Sequence, residues 1–190
     1  MNKLFNKWFR DADVDLDDLP SHKEAELVCV VVQFLKFDET FSHLDLNDTH
    51  ELMNHFYSTT AEIIMRSGGS IDHFFQQFIM CFYGIHRQQI ISDHQIIAAA
   101  REIVDSMERY KPQPKVGVGI CFGKVILGRF GSEARAIFTG FGPAVSCARN
   151  ISAQGSGVYV CEQLQKRVLR PFPRPELISV VKHTPSLSSD

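Results

Sequence analysis

Between Val116 and Phe122 the chain reads Val-Gly-Val-Gly-Ile-Cys-Phe, branched apolar residues interrupted by two glycines. Branched residues favour a strand, and a glycine inside a strand removes the side chain that would keep another backbone away. This segment therefore asks for a strand with a second element lying close along it. A second apolar run, Leu27 to Phe34, carries Val28, Val30, Val31 and Val32 and reads as a strand buried on both faces.

Other elements follow from periodicity and punctuation. Asp48 and Thr49 are candidate caps for a helix through Leu52, Phe56, Ala61, Ile64 and Met65, which Gly68-Gly69 ends. Ser70 to Phe75 and Phe78 to Tyr83 pair as a hairpin around Gln76-Gln77. A helix from Asp93 to Tyr110, capped near Ser92, buries Ile96, Ile97, Ala100, Ile103, Val104 and Met107. Val125 to Leu127 and Ala136 to Phe138 make a further hairpin, and a helix after Pro143 runs towards Ala153. Val158 to Cys161 is a strand, Glu162 to Leu169 a short helix and Leu177 to Lys182 a last strand. The order β, α, β, β, α, β with additions predicts an α+β domain, a mainly antiparallel sheet with helices over one face.

The 190 residues, 44% of them hydrophobic, suffice for one cored domain. Residues 1–24 read as an amphipathic helix and an acidic linker, 25–184 as the domain and 185–190 as a flexible tail. With 20 basic against 22 acidic side chains the formal charge is −2, so no positive field gathers nucleic acid or anionic lipid. No apolar run reaches the ~20 residues of a membrane span, and the N-terminus shows no leader pattern, so the expected location is cytoplasmic, with no membrane partner. Cys29, Cys81, Cys121, Cys147 and Cys161 form no CxxC pair and are expected to be buried, reduced thiols without metal or disulfide. His43, His50 and His55 lack the spacing of a metal cluster.

Three segments carry a resemblance. Gly68-Gly69-Ser70-Ile71-Asp72 with the following hairpin is similar to the Gly-Gly-Thr-Ile-Asp hairpin of class III adenylate and guanylate cyclases. Val116 to Ile120 with Gly123, Val125, Gly128, Gly131 and Ser132 resembles that family's glycine-rich strand and turn, and Phe138 to Val145 resembles its "YTxxGDAVN" segment. They occur in the family's order and spacing over roughly residues 27 to 182. The resemblance implies a ferredoxin-like cyclase fold and a head-to-tail dimer with composite sites. In such a site one subunit supplies two metal-binding aspartates, and the other supplies residues that select the purine and stabilise the transition state.

Position by position, the resemblance implies a damaged site. The first metal aspartate falls on Phe34 and the second on Gln77, so neither anionic ligand of the cation pair is present. Asp38 and Glu39 follow about a turn later as possible substitutes. The purine-selecting lysine falls on His73 and its aspartate partner on Thr139. The ribose-positioning asparagine falls on Ser146. The transition-state arginine falls on Asn150, with Arg149 one residue early as a possible substitute, about 100° round a helix. No catalytic residue and no metal site is therefore expected, while His73, Thr139 and Ser146 remain candidates for a nucleotide pocket.

Three readings follow. The first is a catalytically inactive cyclase-like domain, a dimerising regulatory or interaction module in signal transduction, as homodimer or heterodimer and without a cofactor. The second is a nucleotide-binding sensor without turnover. The third is a weakly active adenylate or guanylate cyclase using Asp38, Glu39, Asp72 and Arg149, and only this one calls for Mg or Mn.

Overall fold

The computed structural model describes residues 22–85, 91–111, 113–132 and 134–168, with the backbone of 178–181. The expected N-terminal helix, most of the linker and the tail lie outside the described residues. Along the chain come β1 (His22–Phe34), α1 (Phe37–Phe41), α2 (Leu46–Arg66), β2 (Ser70–Phe75), β3 (Phe78–Tyr83) and α3 (Asp93–Arg109). They are followed by β4 (Val116–Gly131), β5 (Ala136–Phe141), α4 (Pro143–Ser152), β6 (Gly157–Cys161), α5 (Glu162–Arg167) and β7 (Ile178–Val181).

The strands form one seven-stranded sheet in the order β2-β3-β1-β4-β6-β7, with β5 paired to the far end of β4. The β1–β3, β1–β4, β2–β3 and β4–β5 pairings are antiparallel, whereas β6 runs parallel to β4 and β7 parallel to β6. The α+β class with a mainly antiparallel sheet is thus as expected. β4 is longer than its apolar pattern indicated: the segments read as two strands are one, because β1 pairs with it without a break from Phe34↔Val116 to His22↔Gly128.

Helices lie on both faces of the sheet, not on one. Side chains alternate along a strand, so Phe34, which packs against Phe56 of α2, and its partner Val116 mark one face, and Gln33 and its partner Gly117 mark the other. α4 occupies that second face. A Cβ on Gly117 would lie 2.1 Å from the Ser152 carbonyl oxygen, and one on Gly119 would lie 2.0 Å from that of Ala148. The helix backbone rests directly on the strand, as the glycine pattern demanded, and Ser152 Oγ donates to Gln33 Oε1 at 3.0 Å across the seam. Covered on both sides, Leu27 to Val32 are all buried.

Local chemistry sets the helix ends. α3 begins in a capping box: Ser92 Oγ accepts the Gln95 amide and Gln95 Oε1 accepts the Ser92 amide at 2.9 Å. α2 starts earlier than its candidate caps, at Asp45, whose carboxylate accepts the Asp48 N–H at 2.8 Å. Among the described residues no helix is long and apolar enough to cross a membrane.

Candidate functional site

The end of β1 meets the β2–β3 turn. Phe34 N–H donates to the Gln77 carbonyl at 2.6 Å, so the two positions at which the family resemblance implies metal aspartates are adjacent. Their side chains do something else. Phe34 is fully buried, with ring centroids 5.9 Å from Phe37, 5.4 Å from Phe41 and 5.5 Å from Phe56. It closes the end of the core where the chain turns from β1 into α1. Gln77 is half-buried in a tight turn after Gln76, which sits at φ +40°, and Tyr57 Oη holds that turn by donating to the Gln76 carbonyl at 2.6 Å.

The candidate substitutes do not repair the site. Asp38 and Glu39 are exposed on α1, and Glu39 is paired with Lys36 at 2.8 Å, a hydrogen-bonded ammonium that holds its carboxyl below the usual range. The cleft beside them, about 250 Å3, is lined by Lys36, Glu39, His43 and Lys115 among others. Two ammonium groups beside one carboxylate repel a dication. A phenyl ring, an amide and a lysine-paired glutamate do not fit a two-cation site, which needs anionic oxygen ligands.

A second constellation is assembled well. The register between β2 and β3 slips between Ile71 and His73, and such a bulge re-aims side chains. There the Asp72 carboxylate, with its side chain 6% exposed, is bound by His73 Nδ1 and by Thr139 Oγ1, which donates at 2.6 Å. His73 and Thr139, which the resemblance implies as a pair, thus meet on one oxygen. The sequence placed Asp72 in the hairpin motif and considered it only as a substitute metal ligand. Its role as the centre of the cluster was not visible, because β5 reaches β2 only through the fold. With a carboxylate on Nδ1, that nitrogen donates, and Nε2 is the ring's other polar atom, on a side chain 37% exposed. Thr139→Val should remove one hydrogen bond to a buried carboxylate and cost about 2 kcal/mol, read as a lower urea midpoint at unchanged m-value.

Ser146, Arg149 and Asn150 lie on the exposed side of α4. Arg149 places its guanidinium 5.1 Å from the centre of the Phe78 ring, a cation–π contact reaching the turn that holds Gln77. Phe75 continues this strip, 5.1 Å from Phe78 and 54% exposed, while Phe74, on the other face of β2 against Tyr57, is 45% exposed. The β2–β3 hairpin therefore carries an uncovered aromatic surface.

The cysteines require a correction. They were expected as separate reduced thiols, but α4 packs so closely on β4 that Cys147 meets Cys121, and the two form a disulfide with Cα atoms 6.2 Å apart. Cys161, at the end of β6, brings a third sulfur to the same place. Cys29, Cys81 and Cys161 are free and buried.

No protein-family model matches the chain. An uncharacterized protein of Mycobacterium tuberculosis is 26% identical over 104 residues, 55% of this chain, and one of Mycobacterium bovis matches to the same extent. The match spans only 19% of either relative's length. Solved structures resemble it over more of the chain. The adenylyl cyclase CyaB from P. aeruginosa matches at TM-score 0.68 and 18% identity, covering 79% of this chain and 83% of that one. The guanylate cyclase domain of RhGC from Catenaria anguillulae, in complex with GTP, matches at TM-score 0.68 and 17% identity, covering 77% and 84%. A dimeric guanylyl cyclase domain from Blastocladiella emersonii matches at TM-score 0.66 and 16% identity, covering 80% and 90%.

Proposed function

We propose that this chain, which has the fold of class III adenylyl and guanylyl cyclase catalytic domains, is a domain of that kind without the reaction, a dimerising regulatory or interaction module in cytoplasmic signal transduction. The observation that carries the reading is the pair Phe34 and Gln77. Their backbones meet where the cation-binding carboxylates are expected, yet one side chain belongs to the core and the other is a neutral amide. In-line attack on an α-phosphate needs cations to activate the nucleophile and neutralise the leaving pyrophosphate. Neither side chain offers them an anionic ligand.

What the domain retains is a surface. Phe74 and Phe75 are exposed on the β2–β3 hairpin, and desolvated aromatic anchors dominate interface energies. The partner is a second copy or a related cyclase-type chain docking on this hairpin. Phe75→Asp should weaken self-association at least tenfold in sedimentation equilibrium, since an interface anchor contributes about 2 kcal/mol. An unchanged dimer contradicts this hairpin as the interface, and a wild type monomeric at high concentration rules out the second copy and leaves the related chain.

The Asp72 cluster favours a second reading, a nucleotide sensor without turnover. Nε2 of the part-exposed His73 ring is a polar atom of the kind that hydrogen-bonds a purine edge. Calorimetric titration with ATP and with GTP in the absence of divalent cations separates the readings. Saturable binding lost in His73→Ala supports the sensor, and no binding leaves the interaction module.

A further inference from the structure

We propose that Cys121, Cys147 and Cys161, once reduced, form a three-thiolate site for a thiophilic d10 cation, Zn2+ or Cu+. Three elements deliver the sulfurs: β4 brings Cys121, α4 brings Cys147 and the β6–α5 junction brings Cys161. All three residues are buried, and their sulfur atoms lie within 4.8 Å of one another. Metal–sulfur bonds of about 2.3 Å place ligand sulfurs roughly 4 Å apart, so Cys161 Sγ already lies near ligand range, while the Cys121 and Cys147 sulfurs, bonded to one another in the disulfide, must part by about 2 Å once it is reduced. Soft sulfur donors in an apolar setting select zinc or cuprous ions over magnesium or calcium. The Leu164 amide donates to Cys161 Sγ at 3.4 Å, an outer-shell hydrogen bond of the kind that stabilises and orients a ligating thiolate.

The disulfide and the metal site are alternative states of one cluster. A dithiol reductant passes two electrons and two protons to the Cys121–Cys147 bond, giving two thiols and closing its own disulfide. Zn2+ then displaces three protons from three thiols to give a thiolate complex of charge −1, with a fourth position for water. Cu+ completes a trigonal site without that water. Either ion ties α4, and with it Arg149, to β4 and β6. A reducing compartment favours this state, because cytosolic thiols stay reduced.

Disulfide-reduced chain is titrated anaerobically with Zn2+ against a chromophoric chelator, and separately with Cu+ against a cuprous chelator. One ion per chain is expected, with three protons released for zinc and with no binding by the disulfide form. Cys147→Ser and Cys161→Ser should each weaken binding at least tenfold, while Cys81→Ala, at a buried thiol paired with Val30 on the opposite face of the sheet, should leave it unchanged. Circular dichroism confirms that each variant is folded. Where a serine variant is not, the proton count and a metal-induced rise in melting temperature of the reduced wild type decide. Failure of folded, reduced wild type to bind either ion, or equal binding by the serine variants, overturns the proposal.

Discussion

Replacing Phe34 with aspartate should unfold the domain, not restore a metal site. The ring fills a fully buried position among Phe37, Phe41 and Phe56. Truncating such a ring costs about 3–5 kcal/mol through lost contacts and the cavity left behind. A carboxylate there adds the cost of an unpaired buried charge. The expected loss of about 5 kcal/mol or more is comparable with the entire stability of an ordinary domain. It is read from urea unfolding with and without Mn2+. A variant that keeps the wild-type midpoint, or whose midpoint Mn2+ restores, would mean that the position still holds a cation and that the ring is not part of the core.

Gly119→Ala is expected to have the second-largest effect. The added Cβ would lie 2.0 Å from the Ala148 carbonyl oxygen and 2.7 Å from the Ser152 nitrogen, both backbone atoms of α4. No rotamer relieves such a contact, so the helix must lift off the strand. Overpacking of this kind costs about 3 kcal/mol, which lowers the melting temperature of a domain this size by roughly 6–12 °C. Because α4 also carries Cys147 and Arg149, the Cys121–Cys147 disulfide should form more slowly in the variant. A melting temperature within 2 °C of wild type would contradict direct backbone packing.

These two positions also show what was legible in the sequence. Gly117 and Gly119 announced a close backbone approach without naming the element that makes it. The parallel pairing of β6 beside β4 completes the bed on which α4 lies, and that pairing is non-local. Phe34 was legible as a missing ligand only through resemblance. Its packing against α1 was not, because the short helix Phe37–Phe41 carries no periodic signal of its own. His73 and Thr139 were identified as neighbours of a pocket, yet the carboxylate that joins them depends on a β-bulge at Asp72 that no turn residue marks. The cysteine cluster left no trace in spacing, since its members come from a strand, a helix and a strand end.

The continuity of β4 has a related cause. Gly123 and Gly128 punctuate the segment as though it were broken, but β1 supplies a partner for every position from Val116 to Gly128, and β5 extends the pairing to Gly131. Tertiary pairing overrides local preference here.

The measurement that tests the central claim most directly is cyclic nucleotide formation by the purified chain from ATP and from GTP with Mn2+, beside its Arg149→Ala variant. The account predicts no product above the enzyme-free background for either protein. Product from the wild type that disappears in the variant would contradict it, and would mean that a working site has been rebuilt from residues other than Phe34 and Gln77.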